Sequence, residues 1–416
     1  GNFTSQIFDS GSTGTTWDNI TWDALHDFAN HTDAEPSTSK IDSTSLVLML
    51  HLNNDSTIGE NATFFVDEST SANNATCDNS AGECSTLNIT DTKFANSQTF
   101  DGGDCSSIPD SADWFFGTGD FSFNFWVNLQ VVTGSRMFIT QEDYVHRTSG
   151  YFAWRVFTSG GNLLRFEYST DGGTGDPSRT LLSVPWIPIT NTWYNIAVVR
   201  SGSDIKFYVD GVQQGTNQNI GTDNIANIAK VVSIGCNLEF GSPANFITGN
   251  LDEIQIYKRA LSKQEILENY QRGALRLSLQ ARSCNDSACD GETFSDNLTN
   301  EQDISSLTAN QYFQYKAEFS SSNLNYTSFL QNVTIDYTLG DTCTPPAVNN
   351  DWVLEYSDNC TLTSDTDLGT GDLIPKSEGI GSLTLADNVD LTTDLIPYLC
   401  DGCKIILGDQ TKIIIN

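Results

Sequence analysis

Thr192-Trp-Tyr-Asn-Ile-Ala-Val-Val-Arg200, followed by Lys206-Phe-Tyr-Val-Asp-Gly211, decides the fold class. Aromatic and β-branched residues dominate both runs, and such residues suit a pleated, half-buried strand. Asp210-Gly211 is a hairpin signal, because a tight hairpin turn needs residues that tolerate positive φ. Similar runs recur at 97–100, 121–129, 136–140, 151–157, 163–168, 231–235 and 251–257, with turn residues between them. Leu46-Val-Leu-Met-Leu-His-Leu52 reads as a buried strand, and a polar loop region follows it to about residue 92. One helix interrupts the pattern. Ser262-Lys-Gln-Glu265 is a capping box, and Ile266, Leu267 and Tyr270 give the helix its apolar face.

Working outward, residues 1–35 read as strands, with Trp17-Asp-Asn-Ile-Thr-Trp22 alternating large and polar side chains. Ala34-Glu-Pro-Ser-Thr-Ser39 reads as a linker. Strands resume at 275–281, 312–319 and 329–337, and Cys343-Thr-Pro-Pro346 is a second linker. Beyond it the style changes. Short strands such as Trp352-Val-Leu-Glu-Tyr356, Ser382-Leu-Thr-Leu385 and Lys404-Ile-Ile-Leu407 recur about every 20 residues, a spacing expected of β-solenoid rungs.

The chain carries 53 acidic and 20 basic residues, a formal net charge of −33. That surface repels phosphate backbones and anionic headgroups, so nucleic acid is excluded as a partner, as is membrane binding through basic patches. Solubility, attraction of cations and a salty habitat all account for the acidity. No run reaches transmembrane length, so no membrane insertion is expected. The start at Gly1, without Met or a signal-type apolar run, reads as a processed mature form.

Ten cysteines are present: Cys77, Cys84, Cys105, Cys236, Cys284, Cys289, Cys343, Cys360, Cys400 and Cys403. Zinc would need paired CxxC motifs or partner histidines at set spacing. Only Cys400 and Cys403 have that spacing, and His26, His31, His51 and His146 are scattered. Disulfides in an oxidising compartment are the better reading, paired 77–84, 105–236, 284–289, 343–360 and 400–403. Twelve Asn-X-Ser/Thr sequons mark candidate glycosylation sites at Asn2, Asn19, Asn30, Asn54, Asn61, Asn74, Asn88, Asn285, Asn297, Asn325, Asn332 and Asn359. None lies between residues 89 and 284, which suggests a glycosylated exterior around a bare sandwich. Secretion to the cell surface or an appendage is therefore expected.

Four stretches together resemble the laminin-G-like, concanavalin-A-like jelly-roll family. They are Asn96-Ser-Gln-Thr-Phe-Asp-Gly102, Gly119-Asp-Phe-Ser-Phe-Asn-Phe-Trp-Val127, the opening pair above, and Gly249-Asn-Leu-Asp-Glu-Ile-Gln-Ile-Tyr-Lys-Arg-Ala-Leu-Ser262. The resemblance implies an all-β jelly-roll sandwich over residues 43–272. Trp126, Trp154 and Trp193 are expected in its core. The flanks resemble a β-sandwich module of bacterial and archaeal surface proteins, through Ser5-Gln-Ile-Phe-Asp-Ser-Gly11, Gln280-Ala-Arg-Ser283, Asn310-Gln-Tyr-Phe-Gln-Tyr-Lys-Ala317 and Phe329-Leu-Gln-Asn-Val-Thr-Ile335. That resemblance implies a split sandwich, 1–36 plus 273–340, into which the jelly roll is inserted. Residues 341–416 form a C-terminal β-rich segment.

The jelly-roll resemblance also implies a structural Ca2+, with Asp67, Asn73 and Asp252 as its oxygen ligands. The family's glycine-rich calcium loop is here Asp67-Glu-Ser-Thr-Ser-Ala-Asn-Asn74. No catalytic residues are assigned. The glucanases of this fold set carboxyls on one strand as Glu-x-Asp-x-x-Glu, and no such run occurs. Asp252-Glu253 and Gln141-Glu142-Asp143 place adjacent acids on opposite faces of a strand. Tyr144, His146, Trp114 and Trp186 fall in loop-like sequence, where a glycan platform could form, but no ligand-binding set is assigned. The expectation is a non-enzymatic surface protein binding a glycan or a surface protein. The alternative is a subunit of an extracellular filament or surface layer built from identical chains through the open strand Lys412-Ile-Ile-Ile-Asn416. A polysaccharide-degrading enzyme is the least favoured reading.

Overall fold

A computed structural model describes residues 1–12, 14–24, 41–77, 84–143, 151–160, 162–173, 178–239, 242–340, 342–354, 358–375, 381–397 and 403–415. Nearly all of the regular structure is β. The chain folds into two units. One comprises Asp23–Ser278 and Phe319–Gln331. The other comprises Gly1–Trp22, Leu279–Glu318 and Asn332–Asn416.

In the first unit two antiparallel sheets of eight strands face each other. The first runs in the order Val212–Asn219, Asp204–Val209, Trp193–Ser201, Phe121–Leu129, Thr248–Tyr257, Ser97–Asp101, Thr86–Asn88, with Leu46–Leu50 also on Thr248–Tyr257. The second runs Arg179–Pro185, Leu163–Ser169, Phe152–Ser159, Arg136–Glu142, Val232–Ile234, Ser106–Ile108, Ala75–Thr76, Phe64–Phe65. Strand periodicity explains the interior. Phe121, Phe123 and Phe125 alternate inward and meet Phe166, Trp154 and Phe138 of the opposite sheet at ring-centroid distances of 5.5, 4.9 and 5.3 Å. Asp210 and Gly211 both have positive φ, 52° and 75°, and close the hairpin that the Asp-Gly pair announces.

Ser122, Asn124, Trp126 and Asn128 alternate to the outer face of the first sheet. There the helix Lys263–Ala274 lies over Trp126, whose ring meets Tyr270 at 5.7 Å. Trp126 is therefore buried outside the main core, beneath the helix, whereas Trp154 lies inside it. Trp193 is half-buried, and its indole N–H donates to Asp91 at 2.8 Å. The Ser262–Glu265 capping box is formed in full. Gly273 lets the helix approach, since a Cβ there would stand 2.3 Å from the Trp126 ring.

In the second unit Tyr312–Ser321 pairs with Asn2–Thr4, Phe8–Asp9 and Leu275–Cys284. A second sheet orders Gln302–Asp303, Thr16–Ala24, Leu330–Thr338. Trp17 packs on Phe313 and Tyr337 at 4.8 and 5.3 Å. The chain's first strands thus pair with strands some 300 residues later. Beyond residue 350 the pairing becomes parallel: Trp352–Leu354 with Leu373–Pro375; Thr361–Leu362, Gly381–Leu385 and Cys403–Leu407 in turn; and Thr366–Asp367, Asp390–Thr393 and Lys412–Ile415 in turn. Parallel, in-register stacking on three faces is a β-solenoid. Its interior holds Trp352, Leu354, Leu373, Leu383, Leu385 and Leu391.

Candidate functional site

The three residues expected to hold calcium do not form a cation cage. Asp67 is buried, and one of its carboxylate oxygens accepts the N–H groups of Met49 and Ser69 at 2.8 and 2.9 Å. The other accepts the Asn73 N–H and the Ser69 hydroxyl at 2.7 and 2.8 Å. Asn73 turns its amide N–H groups to the Val47 carbonyl and to Asp113, each at 2.9 Å. Asp252 accepts the backbone N–H groups of Lys93 and Phe94 at 3.1 and 3.0 Å. Calcium needs six to eight oxygens turned inward. Here donors surround the carboxylates, and Asp252 braces a different loop from the one Asp67 closes. In this arrangement the three side chains hold loops.

Glu253 follows Asp252 in a β-bulge of the strand, with a positive φ of 54°. Glu253 reaches His51 Nδ1 at 2.7 Å, while His51 Nε2 meets Glu68 at 3.0 Å. The hydrogen bond from His51 holds the Glu68 carboxyl below its usual range. Flanked on both ring nitrogens by carboxylates, His51 is a buried brace between strand and loop.

The outer face of the second sheet carries the densest chemistry. Glu167 and Arg155 are register partners on neighbouring strands, and Leu181 faces Glu167 from the edge strand. Arg155 joins Glu142 at 3.2 Å and Glu167 at 2.6 Å, and Arg179 also pairs with Glu167. The Arg155 guanidinium lies over Phe152 and Phe157, and that of Arg179 over Phe152. At the margin Lys230 sits 4.7 Å over the Tyr151 ring and 2.8 Å from Asp143. Burial raises the Glu142 carboxyl, and Arg155 opposes the shift. Three cations and three carboxylates thus share one aromatic-lined face, in a chain where acids outnumber bases by 33. Lys230, Arg179 and Leu181 are the parts open to solvent; Glu142 is not.

A second cluster lies under the helix. Lys93 Nζ is 4.3 Å from the Trp126 ring, and burial lowers its ammonium to about 7. Asp210, facing the same cluster, is pushed up by burial to about 6. Asp91, Asp252 and Arg276 complete the surrounding charges.

Trp114 and Trp186 are buried and serve as loop anchors, not as platforms. Tyr144 and His146 lie outside the described residues. Among the described sequon asparagines, none is buried; Asn30 lies outside the described residues. Disulfides join Cys77 to Cys84, Cys105 to Cys236, Cys284 to Cys289, and Cys343 to Cys360. Cys403 is also disulfide-bonded, while Cys400 lies outside the described residues. The one grouping of metal-type ligands among the described residues is Cys343, Asp358 and Cys360, and its two sulfurs are bonded to each other. Among the described residues no helix is long and apolar enough to cross a membrane.

Sequence reasoning missed the outer-face network. Arg155, Glu167 and Arg179 lie on three strands, and no spacing in the sequence links them. Two opposed sheets with this strand order and these four motifs decide the family. Residues 100–267 match the model of the concanavalin A-like lectin/glucanases superfamily, in its laminin G branch. Residues 100–267 are a laminin-G-like domain.

No curated protein gives a match. Among solved structures, the chain is similar to the binding domain of Paraclostridial Mosquitocidal Protein 1, with 14% identity and a TM-score of 0.40, over 54% of this chain and 52% of that one. It is also similar to the botulinum neurotoxin serotype D binding domain, with 17% identity and a TM-score of 0.40, over 56% of this chain and 52% of that one. The serotype G binding domain gives 14% identity and a TM-score of 0.39, over 57% and 56%. The chain spans about half the length of these structures. At that level the likeness says nothing of the ligand.

Proposed function

We propose that this is a non-catalytic extracellular recognition protein whose laminin-G-like domain binds a glycan or a protein through the outer face of its second sheet. The observation that carries this reading is the Glu142–Arg155–Glu167–Arg179 strip, with rings stacked beneath its cations. The rings are buried under the guanidinium groups, so a partner would meet Arg179, Lys230 and Leu181, cationic donors beside an apolar side chain, which suit polar or acidic groups of a glycan or protein. The carboxylates there are engaged by guanidinium groups, and Glu142 is sealed from solvent, whereas a retaining glycosidase needs two accessible carboxyls about 5 Å apart. The disulfides fit an oxidising compartment outside the cell.

The test is binding of the full chain to arrays of immobilised extracellular glycans and matrix proteins, with Lys230→Glu and Leu181→Asp as variants. Both side chains reach solvent, and circular dichroism of each variant checks that the fold is kept. The expected result is at least a tenfold loss of binding to whichever probe the wild type retains. Binding that neither variant changes, or cleavage of an arrayed glycan, would sink the proposal.

A further inference from the structure

The two edges of the jelly-roll sandwich are protected differently. At one edge Arg179–Pro185 ends the second sheet and Val212–Asn219 ends the first. There the chain supplies its own stops. The Gln218 amide takes the Ser183 backbone as a neighbouring strand would, accepting its N–H at 3.3 Å and donating to its carbonyl at 2.7 Å. Val212–Asn219 shifts register part-way along and is polar beyond Val212. Such devices keep an open strand edge from pairing with another sheet.

At the other edge Phe64–Phe65 ends the second sheet and Thr86–Asn88 ends the first. Among the described residues no amide clamp of the Gln218 kind closes either strand. The run Thr86-Leu-Asn-Ile-Thr90 suits strand pairing, and Leu87 and Ile89 are 40% and 71% exposed. Sequons gather here instead. Asn61 opens the turn before Phe64–Phe65, Asn74 precedes the next strand in, and Asn88 lies in the end strand itself. The protected edge, within 179–219, has none.

Asn61 and Asn88 present the group that glycosylation uses. Each Oδ1 is held by its own sequon. That of Asn61 accepts the Thr63 N–H and hydroxyl, both at 3.0 Å, and that of Asn88 accepts those of Thr90 at 2.9 and 3.2 Å. Each Nδ2 donates to no described residue, and both threonines are exposed. Asn74 differs. Its Oδ1 accepts the Asp67 N–H at 2.9 Å inside the loop that Asp67 closes, and its sequon partner Thr76 is flanked by Phe64 and Ser107 on paired strands.

We infer that Asn61 and Asn88 carry N-linked oligosaccharides that cover this edge of the sandwich, and that Asn74 does not. The donor is a lipid-pyrophosphate-linked oligosaccharide. The asparagine Nδ2 forms a bond to the sugar C1, the bond from C1 to the phosphate oxygen breaks, the lipid pyrophosphate leaves, and the amide proton passes to a base of the transferase. A sugar on Asn88 is flanked by Leu87 and Ile89, the apolar side chains that another sheet edge would meet. The edge with Arg179 and Leu181 stays bare.

The test uses the full chain secreted from a host that N-glycosylates. Peptide mass spectrometry before and after enzymatic deglycosylation should find sugar on Asn61 and Asn88 and an unmodified Asn74. Unmodified Asn61 and Asn88, or sugar on Asn74, overturns the assignment. The double variant Thr63→Ala, Thr90→Ala removes both sequons at exposed positions, whereas Thr63→Ser, Thr90→Ser keeps them. In sedimentation the alanine variant should self-associate at least tenfold more tightly than the wild type, and the serine variant should match the wild type. Adding Leu87→Lys and Ile89→Lys to the alanine variant should reverse the association, which unfolding would not allow. An alanine variant that sediments as the wild type does, or association that the lysines leave intact, overturns the shielding role.

Discussion

Replacing Lys93 by Met should flatten the pH dependence of stability in a defined window. The ammonium is nearly buried against Trp126, and burial brings it to about 7 from the usual 10.5. Below pH 7 the folded and unfolded chains both hold the proton, and the cost of burying the charge is complete. Between pH 7 and the usual lysine range the unfolded chain holds a proton that the folded chain lacks, so stability rises with pH. At about 1.4 kcal/mol per unit, the rise from pH 7 to pH 9 is about 2 to 3 kcal/mol. Asp210, titrating at about 6, is ionised across this window and does not contribute. Self-repulsion of the acidic surface acts on both proteins, so the quantity to compare is the difference between them. Urea unfolding followed by tryptophan fluorescence at pH 7 and 9, at one ionic strength, measures it. Lys93→Met should be the more stable protein at pH 7, and that advantage should shrink by about 2 to 3 kcal/mol by pH 9. An advantage that is absent, or equal at both values, would refute the reasoning.

Three further outcomes follow from the same geometry. Arg155→Met leaves Glu142 and Glu167 short of a buried partner and should cost about 3–5 kcal/mol at pH 7.5; because burial already raises the Glu142 carboxyl, the loss should shrink as the pH falls to 4, and an equal loss at both pH values would mean packing alone. Asp67→Ala strands the N–H groups of Met49, Ser69 and Asn73, with an expected loss of about 2–4 kcal/mol in thermal or urea unfolding. Millimolar calcium, or its removal with EDTA, should leave the wild-type melting temperature unchanged within 1 °C, and a clear rise with calcium would restore a cation to the Asp67 loop.

The central strands were legible because burial repeats along them: Phe121, Phe123 and Phe125 announce one face, and Ser262 with Glu265 announces the helix. Arg179–Pro185 and Val212–Asn219 escaped the sequence reading. Both are edge strands; the second is polar beyond Val212, and in the first only Leu182 and Val184 turn into the core, too short a run to stand out. The adjacent acids could be found from sequence, but not their directions, because β-bulges at Glu253 and Glu142 break the alternation. The pairing of Glu142 with Arg155 could not, since it depends on the register of a bulged pair of strands. Asp67 was ambiguous for a simple reason: a loop aspartate that collects backbone N–H groups has the same sequence signature as one that collects a cation.

Hydrogen–deuterium exchange of the full chain, with and without a saturating probe from the arrays, bears most directly on recognition by the laminin-G-like domain. The account predicts slowed exchange in 151–159, 163–169 and 179–185 and around Lys230, with the helix Lys263–Ala274 unchanged. Protection confined to the helix side of the first sheet, or to the solenoid, would contradict it.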